Sequence, residues 1–313
     1  MKNNLRYNKN RVKNIKSARI MILFIIIVTF VVGDSTLMVV KFSESKQAIL
    51  MFYINKKISL ESSGEENTNN ENELNINLSS LENDPVADDI AFVEKYLDQQ
   101  RKGQMPDGAD GKKVVYLTFD DGPSVTVTPL ILDTLKAENV HATFFVVGEA
   151  ADESNTTKNL IRREVEEGNA IGNHTYTHNY KYLYPNRTVN VDNVMVSINK
   201  TNKSLKNILG DDFQTRAIRF PGGHMSWKGM KTLDAVIKEK DYHQIDWNAL
   251  IKDAEGVPKN AEQLKQELIK TIQGRQKAVV LMHDTYGKVE TAKALPEIIK
   301  YLKEQGYEFR TMK

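Results

Sequence analysis

The chain has 313 residues, 43 Lys and Arg against 41 Asp and Glu, and no cysteine. That length holds one large domain or two ordinary ones, and the missing cysteines exclude disulfides and any lipid attached through a thiol. The small net charge of +2 hides a strong asymmetry, because the basic residues crowd the first nineteen positions while 59–93 carries nine acids and no Lys or Arg.

The basic stretch 1–19 abuts an apolar run at 20–40, broken only by Asp34. Positive charge before an apolar segment of about 20 residues marks the cytoplasmic flank of a membrane span, so nucleic acid is not the expected partner. Residues 20–40 are therefore expected to be a single-pass transmembrane anchor, with Asp34 toward the outer interface. The alternative is a signal peptide with its apolar core ending near Gly33, giving a secreted protein, but Val31 and Val32 leave no small-x-small cleavage site. Residues 41–83 read as an extracellular linker. Its first part carries a short apolar patch at 48–54, and 61–83 is rich in Glu, Asn and Ser, a composition that does not fold. Such a tether of about 40 residues reaches roughly 35–40 Å. Residues 84–111 form a helical pre-segment in which Val86, Ile90, Val93 and Leu97 recur at helical spacing.

From 112 to 313 the pattern alternates. Strand-like runs fall at 114–119, 141–147, 170–172, 217–220, 242–247, 278–283 and 307–311, with helical segments between most of them. Several of those helices end at glycines, Gly168, Gly274 and Gly306, and one opens at Pro129. This alternation predicts a parallel α/β architecture. Asp120, Asp121, His174, Arg219, Asp246 and His283 all fall at or just past strand ends, and a barrel gathers such ends at one mouth. The expectation is a distorted (β/α)7 barrel, since seven units are too few for the usual closure.

Adjacent carboxylates at the mouth of a buried strand, as in Thr118-Phe119-Asp120-Asp121-Gly122, are costly unless a cation compensates them. His174-Thr175-Tyr176-Thr177-His178 supplies two imidazoles, and Leu281-Met282-His283-Asp284 follows another apolar run. Two His and one carboxylate make a three-ligand metal site with room for a water, leaving a second carboxylate and a third His for proton transfer. These are the components of a metal-assisted hydrolase.

Taken in order, Thr118–Gly122, His174–His178, Arg219-Phe220-Pro221-Gly222-Gly223, Asp246-Trp247 and Leu281-Met282-His283 resemble the five motifs of the polysaccharide deacetylase family, with its NodB homology domain (carbohydrate esterase family 4). The resemblance covers about 112–313. It implies that Asp121, His174 and His178 hold a divalent cation, most simply Zn²⁺, with Co²⁺ or Ni²⁺ also admitted by such a donor set. It further implies that Asp120 takes the proton of the attacking water and that Arg219 pairs with Asp120 and keeps it ionised. His283 would protonate the departing amine. Gly222 would offer a backbone N–H to the oxyanion, and Trp247, with Asp246 beside it, would wall the sugar groove.

Each motif has an ordinary explanation when taken singly: a turn or helix cap for Asp-Asp-Gly, core or surface histidines, a structural ion pair for Arg219, a core Trp247. Those explanations would all have to hold at once, and three of the six histidines occupy family positions. His141 and His224 are expected to be structural. One position departs from the family pattern. Many relatives have Asp-x-x-Asp-Trp, whose first Asp supports the catalytic His, whereas this chain has His243 there. Strand alternation puts Asp246 on the opposite face from His243, so Asp246 is not expected to substitute, and the support of His283 is left open.

An exported, tethered chain of this kind resembles the bacterial enzymes that remove acetyl groups from N-acetylglucosamine in peptidoglycan. Its expected partners are a cell-envelope glycan and, through the N-terminal helix, the membrane; no protein partner is predicted. The alternatives are a deacetylase of poly-N-acetylglucosamine or chito-oligomers, an O-acetyl xylan esterase, and a non-catalytic glycan-binding module. The last fits poorly with a complete set of site residues.

Overall fold

A computed structural model of the protein describes residues 86–313. The expected cytoplasmic tail, anchor and linker (1–83), and the start of the pre-segment, lie outside the described residues. No helix among the described residues is long and apolar enough to cross a membrane.

The elements in chain order are β1 (Ala87–Asp88), α1 (Ile90–Arg101), β2 (Val114–Asp120), α2 (Thr128–Glu138), β3 (Thr143–Val146), α3 (Gly148–Asp152), α4 (Asn155–Glu166), β4 (Ala170–Asn173), α5 (Tyr180–Leu183), α6 (Val191–Leu209), β5 (Ala217–Ile218), α7 (Met230–Glu239), β6 (His243–Gln244), β7 (Ala249–Leu250), α8 (Ala261–Ile272), β8 (Lys277–His283), α9 (Val289–Glu304), β9 (Glu308–Phe309) and β10 (Thr311–Met312). The main sheet is wholly parallel, in the order β6-β5-β4-β3-β2-β8-β7, with β9 beside the start of β2. It is an α/β half-barrel. Its two edge strands, β6 and β7, are consecutive in sequence, so the four residues between them span the opening. The Ile245 N–H donates to Ile218 on the β5 side, and the Asn248 N–H donates to Val279 on the β8 side.

The central strand shows why this sequence folds as it does. All seven residues of β2 are buried, which is the requirement of a parallel strand covered on both faces. Alternation then sorts them. Val115, Leu117 and Phe119 join the core under the surrounding helices, with Ile131, Leu135, Val280, Met282, Leu295 and Ile298. Val114 and Tyr116 point to the concave side, where they meet Phe145, Ala217, Ile245 and Val279. Nearer the strand's C-terminus the same concave face changes to Thr118 and Asp120. The barrel interior is therefore apolar at its floor and polar at its mouth.

The pre-segment completes the floor. Ile90, Val93 and Tyr96 of α1 and Met312 of β10 are buried in the concave-side core. The helix starts cleanly, because the Asp89 side chain accepts the N–H groups of Ala91 and Phe92. Asp88 receives the Tyr116 hydroxyl at 2.6 Å and Arg310 at 2.7 Å. The unusual His243 is explained here as well. Its Nδ1 lies 2.7 Å from Glu94 of α1, whose other oxygen accepts the Gln244 N–H at 3.0 Å. His243 is thus a docking point for the chain's own pre-helix.

Ile90 is fully buried and Val196, on the outer side of α6, is 57% exposed. Ile90→Ala should lower unfolding free energy by about 3 kcal/mol, and Val196→Ala by less than about 0.5 kcal/mol, measured by urea denaturation. Equal, small effects would mean that α1 does not belong to the cooperative core.

Candidate metal and catalytic site

The site forms where β2, β4, β5 and β8 end. Register alone sets its first feature. Asp120 and His283 are paired residues of adjacent strands β2 and β8, so their backbones lie about 4.8 Å apart and their side chains leave the same face. An acid and a base are thereby brought side by side by the sheet itself.

Asp121 lies one step past the strand, with φ +72°. That left-handed conformation is uncommon outside glycine, and it turns the second carboxylate away from the first. The turn is clasped from beneath by Asp284. Its N–H donates to the Asp120 carbonyl at 3.2 Å, its carbonyl accepts the Ser124 hydroxyl at 2.6 Å, and its carboxylate accepts Thr128 at 2.5 Å. Gly122 is required by the same contact, since a Cβ there would lie 2.1 Å from the Asp284 carboxylate. Burial, with Asp121 and Asp120 nearby, pushes the Asp284 carboxyl up to about 7.

His174 and His178 sit on a loop, not a helix. Thr175 and His178 also have positive φ (66° and 54°), and strain of this kind persists only where surroundings enforce it. Here the Asn173 side chain accepts the Thr175 N–H, the Ser197 hydroxyl accepts the Tyr176 N–H, and the carbonyls of Thr175 and Tyr176 accept the N–H groups of Gly148 and Glu149. Both Nε2 atoms lie 3.3 Å from the same oxygen, Asp121 Oδ1. Nδ1 of His174 is 2.7 Å from the Arg219 carbonyl. A carbonyl can only accept, so Nδ1 carries a hydrogen there and Nε2 is the nitrogen left facing Asp121 and available to a cation.

This donor set fits a divalent cation. The ligand atoms of Asp121, His174 and His178 lie within 4.8 Å of one another, and Asp121 Oδ1 is buried with no hydrogen-bond partner. Ligands about 2.0–2.1 Å from tetrahedral Zn²⁺ would be separated by about 3.4 Å, close to the two 3.3 Å distances. Burial works to raise the Asp121 carboxyl, but the nearby imidazoles of His174, His178 and His283 hold it far below the usual range.

Arg219 is completely buried. Its guanidinium donates to Asp120 Oδ1 and Thr118 Oγ1, each at 2.7 Å, and to the carbonyls of Ile245 at 2.8 Å and Asp246 at 3.3 Å. It also stacks 4.1 Å from the Phe145 ring centroid. Of the expected groove residues, Gly222 (φ +77°) sits against Trp227 and Tyr180, and Gly223 against Trp247. The Asp246 carboxylate accepts the His224 N–H at 3.0 Å and so fastens the 221–226 loop, and it makes no contact with His283. His224 pairs with Asp234 and the His141 ring packs on Gly168, both structural arrangements.

Sequence reasoning missed two groups. The first is Asp253, whose carboxylate takes the His283 ring Nδ1 at 2.9 Å and the His283 N–H at 2.9 Å, while Thr291 donates to it at 2.8 Å. Burial works against the charged imidazole, but Asp253 and the two site aspartates raise His283 to about 9. The support that His243 does not give arrives instead from the loop after β7. The available signal was a lone acid just past the apolar run Ala249-Leu250-Ile251. The second is an aromatic shelf beside His178, where Tyr180 lies 5.1 Å away and Tyr184 stacks on Trp227 at 4.1 Å. Its signal was the tyrosine-rich run after His178.

The comparisons with known proteins agree with this geometry. Residues 107–244 match the family model described as polysaccharide deacetylase. A peptidoglycan-N-acetylglucosamine deacetylase of Bacillus cereus is 35% identical over 227 residues, covering 71% of this chain and 73% of that protein. Among solved structures, a Streptococcus mutans CE4 esterase matches with TM-score 0.66 and 35% identity over 73% of this chain and 92% of that one. A Bacillus cereus polysaccharide deacetylase matches with TM-score 0.56 and 32% identity over 64% and 92%. With its strand-end motifs in place and relatives at this level of identity and coverage, the chain belongs to the polysaccharide deacetylase family.

Proposed function

We propose that the protein is a metal-dependent deacetylase that removes N-acetyl groups from N-acetylglucosamine residues of peptidoglycan, held outside the membrane by its N-terminal segment. The observation that carries the reading is the pairing of Asp120 with His283 at adjacent strand ends, directly beside the Asp121–His174–His178 donor set. A divalent cation held by those three residues would polarise the acetamide carbonyl and acidify a water near it.

The chain's own groups supply the proton transfers. Asp120, oriented by Arg219 at 2.7 Å, accepts the proton of the water that adds to the acetamide carbon. By the family resemblance, the Gly222 N–H would donate to the oxygen on which negative charge develops. His283, already protonated at neutral pH, gives its proton to the sugar nitrogen as the C–N bond breaks. The products are acetate and a glucosamine amine. Asp253 and the backbone around it fix which ring nitrogen of His283 is free to donate. The peptidoglycan assignment is supported by the Bacillus cereus relative that carries that activity in its name. Membrane tethering is supported by the basic flank and apolar run at 1–40.

Acetate release by the purified protein from peptidoglycan, chito-oligomers and acetylated xylan tests the proposal. The expected order puts peptidoglycan first, and a preference for the xylan ester would overturn the substrate class. The acid role has its own signature. His283 titrates above its ordinary value, so its ion pair with Asp253 stabilises the fold fully below about pH 6.5 and is lost as pH rises through about 9. Asp253→Asn should move the alkaline limb of kcat/KM roughly one to two pH units toward neutrality. An unmoved limb would show that Asp253 does not tune the acid.

A further inference from the structure

The segment that closes the half-barrel is held by very little sheet. β6 pairs with β5 through two residues, and β7 pairs with β8 through two. Between these short strands, 245–248 cross the opening, and this span carries two of the four acceptors that fix the Arg219 guanidinium. The Ile245 carbonyl accepts from Nε at 2.8 Å and the Asp246 carbonyl from Nη2 at 3.3 Å. A guanidinium is planar and rigid, so two carbonyls at Nε and Nη2 fix its plane and with it the direction of Nη1. Nη1 is the group that donates to Asp120 Oδ1 at 2.7 Å. The aim of the base thus depends on backbone that the sheet alone holds weakly.

The pre-helix α1 supplies the missing restraint, at both ends of the span. The N–H groups of His243 and Ile245 donate to Arg216 and Ile218 on the β5 side, so alternation leaves the Gln244 N–H on the open edge. Glu94 Oε1 accepts it at 3.0 Å, while Oε2 lies 2.7 Å from His243 Nδ1. One carboxylate does for β6 what a further strand would do. At the other end, Gln100 Oε1 accepts the Asn248 amide at 2.8 Å. Asn248 in turn donates to the Lys277 carbonyl at 2.9 Å and accepts the Val279 N–H at 2.8 Å, which ties it to β8. Glu94 and Gln100 stand about 9 Å apart along the helix, which makes α1 a splint across the opening. Its own place is fixed by the buried Ile90, Val93 and Tyr96 and by the Ile90 N–H, which donates to the Lys313 carbonyl at 2.7 Å.

We infer that Glu94 and Gln100 are positioning residues for deacetylation: they hold the 245–248 span, the span holds the plane of Arg219, and Arg219 aims Asp120 at the attacking water. The inference rests on the deacetylase reading and extends the working site to a helix that precedes the barrel. A misplacement of about 1 Å at reacting groups costs about 10²-fold in rate, so a smaller slip of the span is enough to be measured.

The test is acetate release from a chito-hexasaccharide, with rates referred to folded protein and metal content followed by elemental analysis. Glu94→Ala and Gln100→Ala should each lower kcat about tenfold, with KM and metal content little changed. Glu94→Gln and Gln100→Glu, which keep an acceptor in each place, should recover most of the loss. Asp98→Ala, which removes only the ion pairs to Arg101 and Lys102, should lose nothing. A lower stability with unchanged kcat per folded molecule would show a merely structural role and overturn the inference, as would a rise in KM at constant kcat. If Glu94→Ala does not fold, the Gln100→Ala and Gln100→Glu pair decides. A second readout is independent of turnover: the Arg219 Nε–H should exchange with solvent about tenfold faster in Glu94→Ala, followed by NMR. If the unaltered protein releases no acetate, the deacetylase reading is what fails, and an unchanged Arg219 exchange rate would then overturn the link from α1 to Arg219 on its own.

Discussion

The site is organised around one buried cation. Arg219 is a permanently charged side chain with no exposure to solvent, and such a charge is tolerated only when its hydrogens are all directed at acceptors. The acceptors belong to separate parts of the barrel: Asp120 and Thr118 on β2, and the carbonyls of Ile245 and Asp246 in the span between the edge strands. Its own carbonyl orients His174. A single residue thus fixes the base, one metal ligand and the closing segment of the half-barrel. A lysine could not serve, because it lacks the planar fork that reaches several acceptors in different directions.

With that cation in place, two adjacent aspartates can do different work. Asp120 ends a strand and points into the barrel toward Arg219. Asp121 leaves the strand with a left-handed backbone and meets two imidazoles instead. Glu164 of α4 shows what a buried acid is like without such partners. Both its oxygens lack hydrogen bonds, and burial, with Asp284 nearby, raises its carboxyl well above the ordinary range. Carboxylates that must stay charged at this depth each need a named counter-group.

Much of this was legible in the sequence, and for identifiable reasons. Long buried strands such as 114–120 and 277–283 betray themselves as apolar runs, and the polar residues that end them mark the mouth of the barrel. The helix Val191–Leu209 is hard to read from the sequence, although Asn190 caps it and Gly210 follows it, because its buried face is interrupted by Ser197, Thr201 and Ser204. The expected strand at 242–247 contains only β6 (His243–Gln244), with β7 following beyond it, and that at 307–311 divides into β9 and β10, which pair with β2 and β1 respectively. Asp253 was invisible because its contact with His283 joins a loop to the end of β8 thirty residues later, and no periodicity encodes that. The docking role of His243 depends equally on Glu94, 149 residues away in sequence.

The central claim is that Asp120 and Asp121 divide into base and ligand, and paired amide substitutions test it most directly. Asp120→Asn should keep its metal, measured by elemental analysis, while kcat falls by about 10²–10⁴-fold. Asp121→Asn should lose metal and regain part of its activity when metal is added in excess. The account is contradicted if Asp120→Asn loses the metal and Asp121→Asn retains it.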